Sequence, residues 1–307
     1  MHILQFASLI STFLYGLLVD SRLLFIQLII VGLYSIGSYM NNHGRTTTRR
    51  KIAMASWGAP QDPSCYGTME FDCEIIDNYI EAFNKKNPKA KITYTHFFMK
   101  VLGNSFYLSP EANGTIAFGQ FVPFNSVNIN TLVDLDGKNL AGVTIENCEK
   151  LSLSEIRLKT NEKIKKIKLR KDANVKEQMK IAKMLPAPVM SVLMVVTSFI
   201  SYYLGMGVRA LKIRKYNFGN VVLTNVSKME VYDTFAPLVN FTGAIIVAVI
   251  CKPREKVVVN KNREMEIKKV MTFNVTFDHR YADAMSVRKT IQEIYNLCAE
   301  PEKLGWE

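Results

Sequence analysis

Histidine and cysteine are scarce in this 307-residue chain, with four and five residues respectively. No two of Cys65, Cys73, Cys148, Cys251 and Cys298 stand at Cys-x-x-Cys or zinc-finger spacing. A disulfide scaffold and a structural zinc site are thereby excluded, and a reducing compartment is expected. No metal is expected. Phosphate-binding glycine loops are missing too, as are Walker and dinucleotide fingerprints and internal repeats. Charge is absent from the 25 residues Met184–Val208. It is also absent from Ile3–Val19 and Leu23–Tyr39, two apolar runs parted only by Asp20-Ser21-Arg22.

The charge that is present is unevenly placed. Arg157–Lys215 holds fifteen Lys and Arg against Glu162, Asp172 and Glu177, a net +12 that equals the formal charge of the whole protein. These cations bracket Met184–Val208 and lack the interleaved aromatics that stack on bases, so nucleic acid is not the expected partner. Each N-terminal run falls slightly short of the ~20 residues that span a bilayer. Together they predict a membrane hairpin over 1–40, followed by a polar linker over 41–48. Arg49-Arg50-Lys51 then favours a cytoplasmic or matrix-side domain over 49–307. If both flanks of Met184–Val208 belong to that one folded domain, they lie on the same side and a single crossing is impossible. Pro186, Pro188, Gly205 and Gly207 fit a re-entrant or in-plane segment over 184–208, with the basic flanks on anionic head groups.

The rest reads as α/β. Tyr66–Asp72 alternates as a strand. Ile75, Ile76, Tyr79, Ile80 and Phe83 recur at helical spacing up to Asn87-Pro88. A second helix, capped near Thr95, carries Phe97, Phe98, Val101, Leu102 and Phe106. Gln120–Ile145 holds short strands. Ser152-x-x-Glu155 is a capping box for a helix that buries Ile156 and Ile164. Strands follow at Gly219–Thr224 and Gly243–Cys251, then a hairpin at Asn260-Lys-Asn262 leading through Val270–Phe277 into His279. A last helix, Ala282–Leu297, points Met285, Ile291, Ile294 and Leu297 inward. Four Asn-x-Ser/Thr sequons, at Asn113, Asn225, Asn240 and Asn274, read as unused, and Trp57 and His96 read as structural.

A histidine at a strand end, flanked by Asp278 and Arg280 and followed by Asp283, is placed to act as a general base. The run Val270–Ala284 resembles the C-terminal signature of the 2-oxoacid dehydrogenase acyltransferase catalytic domain, Asp-His-Arg-x-x-Asp-Gly. Other segments agree in order. Arg49-Arg-Lys-Ile-Ala53 is similar to the family's opening motif. Lys91-Ile-Thr-Tyr-Thr95 through Leu108-Ser-Pro-Glu-Ala-Asn113 is similar to its helix ending in Pro-Glu-Ala-Asn. Lys150-Leu-Ser-Leu-Ser-Glu-Ile156 and Phe218–Ser227 resemble two further motifs.

The resemblance implies a chloramphenicol acetyltransferase-like fold, a mixed sheet with packed helices, assembled as a homotrimer. It implies His279 as the base that deprotonates a thiol of coenzyme A or a dihydrolipoyl-like carrier. Thr224 falls where the family has the serine that stabilises the oxyanion, and Asp283 would ion-pair with Arg49, or with Arg50. The active site would lie between subunits. Three departures accompany it: Ala284 replaces the motif's glycine, Thr224 replaces serine, and apolar segments stand where lipoyl and subunit-binding domains precede the family's catalytic part. No covalent lipoyl group is therefore expected. The expectation is a membrane-associated, coenzyme-A-dependent acyltransferase with membrane lipids as partners. The alternative is an inactive scaffold or subunit of a larger membrane assembly. A channel or transporter is disfavoured, because Asp20 and Arg22 are the sole charges within the N-terminal apolar stretch.

Overall fold

The computed structural model describes residues 63–117, 120–134, 140–169, 183–207, 215–260, 262–280 and 287–305, together with positions 25, 26, 29, 32, 33, 36, 180 and 213. The chain divides into two units, Met1–Lys51 and Ile52–Glu307. In the first unit, the described positions are helical, and Phe25, Ile26, Ile29, Leu33 and Ile36 are exposed apolar residues. The rest of the expected hairpin and the whole linker lie outside the described residues. Among the described residues no helix is long and apolar enough to cross a membrane.

The second unit is built on a seven-stranded mixed sheet. Its strands are β1 (Ser64–Asp72), β4 (Ile129–Asp134), β5 (Leu140–Ile145), β6 (Val221–Asn225), β7 (Ile246–Ile250), β8 (Arg254–Val259) and β9 (Met265–Asp278), while β2 (Gly114–Ala117) and β3 (Gln120–Pro123) pair separately. The order is β1-β9-β7-β6-β4-β5, with β8 on β9. β6 runs parallel to β4 and β7, and the other pairs are antiparallel. β7 is buried throughout, as a central strand covered on both faces should be.

Helices α1 (Cys73–Lys86), α2 (Tyr94–Tyr107), α3 (Leu153–Lys168) and α5 (Arg288–Ala299) contribute to the main core with one face of the sheet. Phe71, Phe98 and Phe273 meet there, the last two stacked at 4.6 Å between ring centres. The Ser152 capping box forms as expected: the Glu155 N–H donates to Ser152 Oγ at 3.2 Å and the Ser152 N–H to Glu155 Oε2 at 2.8 Å. α2 starts two residues earlier than expected, because Thr93 rather than Thr95 is its N-cap. One inward assignment fails: Ile291 is exposed, and so is Ile75 of the helical-spacing set, since the buried stripes run Cys73, Ile76, Tyr79, Phe83 and Thr290, Ile294, Leu297, Cys298. Each isoleucine sits one position off a 3.6-residue face. Met285 lies outside the described residues.

The uncharged stretch folds as α4 (Ala187–Ser198) continued by a π-helical turn, Phe199–Tyr203. One side is held by the domain. Met190, Ser201 and Tyr202 are buried, the Tyr202 hydroxyl accepts from the Phe218 N–H at 3.0 Å, and Ser201 Oγ accepts from the Tyr216 N–H at 3.1 Å. Gly243, at φ +60°, lies against the Tyr202 ring where a Cβ would collide. The other side, Val189, Val192, Val195, Val196 and Phe199, is exposed.

Candidate active site

β9 delivers His279 to the surface. Asp278 is its last strand residue, and His279 and Arg280 form the turn that follows. The turn is held on both sides. The His279 N–H donates to the Pro63 carbonyl at 2.9 Å, which ties it to the start of β1. Buried Asp278 accepts from the Arg280 backbone N–H at 2.9 Å, and from Arg280 Nε and Nη2 at 3.1 and 2.6 Å. A planar guanidinium gripping a carboxylate in this way fixes the peptide between them and leaves the intervening imidazole exposed. The signature's aspartate and arginine therefore orient the histidine's backbone, a role that spacing alone did not assign. Asp283, Ala284, Arg49 and Arg50 lie outside the described residues.

Thr224 is half-buried near the end of β6. The next residue pins that end: Asn225 Nδ2 donates to Thr95 Oγ1 on α2 at 3.1 Å, and Asn225 Oδ1 accepts from the Ser227 N–H at 3.0 Å. Thr224 pairs with Val249, and Val249 with Asn274, so the three share a row across β6, β7 and β9 and point to one face. His279 is five residues beyond Asn274 along β9. At the usual rise per residue it lies roughly 17 Å farther along the sheet and two strands to the side. A base must come within about 3 Å of the proton it takes, and an oxyanion donor equally close to the same reacting carbonyl. Within one chain, His279 and Thr224 cannot serve one reacting centre.

Buried polar groups elsewhere read as structural. His96 completes the α2 cap: its Nδ1 accepts from the Thr93 N–H at 3.2 Å and lies 2.9 Å from Thr93 Oγ1. Burial, with Arg157 nearby, lowers its pKa to about 4. Burial pushes the thiols of Cys73 and Cys148 up, to about 11 and about 12, so both stay protonated at neutral pH and neither is an activated nucleophile. Among the described residues no cluster of three His, Cys, Asp or Glu side chains could hold a metal. A surface cleft of about 310 Å³ between Asn104, Glu149, Glu293 and Lys303 contains neither His279 nor Thr224. The sequon residues Asn113 and Asn274 are buried and engaged in hydrogen bonds, which leaves no room for a glycan on either.

A family model for the 2-oxoacid dehydrogenases acyltransferase (catalytic domain) matches residues 42–180 and 207–306. The chain belongs to this family. The match is interrupted at 181–206, the stretch that forms α4 and its π-helical turn. Solved structures agree on the fold. A probable dihydrolipoamide acetyltransferase of Listeria monocytogenes superposes with a TM-score of 0.60 at 16% identity, over 84% of this chain and 93% of that one. The cubic core of a pyruvate dehydrogenase multienzyme complex gives 0.60 at 14% identity, over 83% and 88%. The Azotobacter vinelandii dihydrolipoamide acetyltransferase, in which a serine, a histidine and an asparagine were probed for their part in the catalytic mechanism, gives 0.59 at 15% identity, over 85% and 88%. No curated protein sequence matches the chain significantly.

The depressed pKa of His96 has a definite sign in stability. The folded state takes up its proton only near pH 4, where a free histidine does so near 6.5, so stability is full above pH 6.5 and falls as pH drops towards 4. The loss attributable to His96 reaches about 3 kcal/mol at the acid end of that window. His96→Gln keeps an acceptor at the same cap position, so chemical unfolding across this range should show a correspondingly flatter acid limb for the variant.

Proposed function

We propose that the protein is a membrane-associated acyltransferase that moves an acyl group between coenzyme A and a thiol or other acceptor, with His279 as general base. The observation that carries the reading is the held turn at the end of β9, in which Pro63 and the Asp278–Arg280 clamp present an exposed imidazole inside the signature of an acyltransferase family. His279 takes the proton from the acceptor thiol. The sulfur attacks the thioester carbonyl, and the Thr224 hydroxyl donates to the oxyanion that forms. When the intermediate collapses, the imidazolium returns the proton to the departing sulfur. Threonine keeps the donor, while its extra methyl restricts χ1.

The separation of Thr224 from His279 along the sheet supports a shared site, in which His279 of one copy faces Thr224 of another. A homotrimer satisfies this, in line with the multienzyme core that the fold resembles. Asp283 stands four residues after His279, the spacing of the probed asparagine after the histidine in the Azotobacter protein. We assign it, paired with Arg49, to holding the loop behind the histidine.

Membrane attachment is part of the same proposal, with the domain on the cytoplasmic or matrix side. The exposed side of α4 supports it: an apolar face opposite a docked one, flanked in sequence by Lys165, Lys166, Lys168 and Lys215, suits a helix lying in the plane of an anionic lipid surface.

Two measurements test these readings. In an acyl-CoA to thiol transfer assay on detergent-purified protein, His279→Ala should lose about 10²–10⁴-fold in rate and Thr224→Val about 10²–10³-fold. Rates equal to wild type in both would favour the inactive scaffold. In sealed proteoliposomes, Lys168→Cys and Lys215→Cys should react with an impermeant maleimide from the same side. Reaction from opposite sides would mean that the insert crosses.

A further inference from the structure

The register of the sheet decides which end of it the uncharged insert occupies. Parallel strands β6 and β7 both start at one end, with Val221 paired to Ile246. Antiparallel β9 finishes there, with Phe277 paired to Ile246 and the Asp278 N–H donating to the Ile245 carbonyl at 3.1 Å. Continued outward by one step, that register sets Ala244 level with His279, and Gly243 is the next residue out.

The insert docks at this same end. The Tyr202 ring lies against Gly243, and the Tyr202 hydroxyl accepts from the N–H of Phe218, three residues before β6 begins. α4 packs on the turn Asn240–Thr242, just ahead of Gly243. By strand spacing, the docked ring stands within roughly 10 Å of the His279 backbone. Thr224 is farther back along β6.

The docked end is both apolar and cationic. Phe199, Leu204 and Met206 are 44%, 43% and 52% exposed there. Gly205, at φ +61°, turns the chain against the Tyr216 hydroxyl. The Tyr216 ring lies 5.7 Å from that of Tyr202, and exposed Lys215 holds its ammonium 5.9 Å from the Tyr216 ring centre. Alkyl-binding side chains beside a cation suit an anionic amphiphile. A water-borne short acyl donor needs neither feature next to the base.

We propose that the acyl donor is a long-chain acyl-CoA, its chain lying in the lipid surface against Phe199, Leu204 and Met206 while its thioester reaches His279. The inference rests on the acyl transfer and membrane attachment proposed above. In the transfer the donor's carbonyl–sulfur bond breaks and one to the acceptor thiol forms. The acceptor's proton passes through His279 to the coenzyme A sulfur.

The test uses the full chain in anionic proteoliposomes, with a small dithiol as acceptor and acetyl-CoA or hexadecanoyl-CoA as limiting donor. Hexadecanoyl transfer should be faster by about tenfold or more. Leu204→Gln with Met206→Gln should bring that ratio close to one. Val192→Glu with Val195→Glu, on the α4 face remote from the docked end, should also lower hexadecanoyl transfer and leave acetyl transfer unchanged. A second readout needs no turnover: a hexadecanoyl-CoA carrying a diazirine beside the thioester should label the turn Asp278–Arg280 on illumination. Excess hexadecanoyl-CoA, and not excess acetyl-CoA, should suppress the labelling. Equal or faster acetyl transfer in the wild type, or labelling suppressed equally by both donors, overturns the proposal and leaves acyl transfer standing. Selective labelling without transfer of either donor supports the long-chain site and refutes catalysis. Neither labelling nor transfer refutes both.

Discussion

The register of three adjacent strands sets the terms for everything else in this protein. Thr224 on β6, Val249 on β7 and Asn274 on β9 are register neighbours in one row. β9 then carries His279 five residues away from that row. Side chains on a sheet cannot slide, since moving a strand by one residue turns its whole set to the other face. The core residues Phe273 and Met271 and the buried polar residues Thr272 and Asn274 alternate along β9, so the register is fixed on both faces. The distance between the two candidate catalytic residues is consequently a property of the fold, and it is what motivates the proposal of a site shared with a second copy.

Much of this was legible in the chain because the signals were local. The Ser152 and Glu155 cap, the aromatic face of α2 and the strand leading into His279 each depend on residues within a few positions of one another, and each is present as expected. The ordered motifs pointed to the family that the comparison then established. What was missed is non-local or depends on geometry at single bonds. Nothing in the spacing shows that Asp278 grips Arg280 through two nitrogens, or that Pro63 receives the His279 N–H from another strand. The α2 cap was misplaced because Thr93 and Thr95 are equally good candidates by type, and the partner that decides it is His96, an uncommon residue for that position. The hairpin at Asn260-Lys-Asn262 was legible, but the partners of the charged residues between it and Val270 were not. In the structure Lys268 pairs with Asp72 and Lys269 with Asp77, charges supplied by β1 and α1.

Among the described residues of the second unit, two exposed apolar faces differ in their settings. The α4 face belongs to the stretch where the family match is interrupted, and it is flanked by the chain's excess of positive charge, which suits an anionic lipid surface. The apolar face of the β8–β9 hairpin belongs to the matched part of the domain and extends the strand that ends in His279. Membrane attachment through the inserted helix remains part of the proposed function.

The most direct test of the central claim is complementation between two inactive chains. His279→Ala retains Thr224, and Thr224→Val retains His279. Co-expressed in equal amounts and purified together as randomly assorted rings, they should recover about one quarter of the wild-type transfer rate, because one neighbouring pair in four places an intact Thr224 opposite an intact His279. Mixed rings that show no more activity than either variant alone would contradict a site shared between copies.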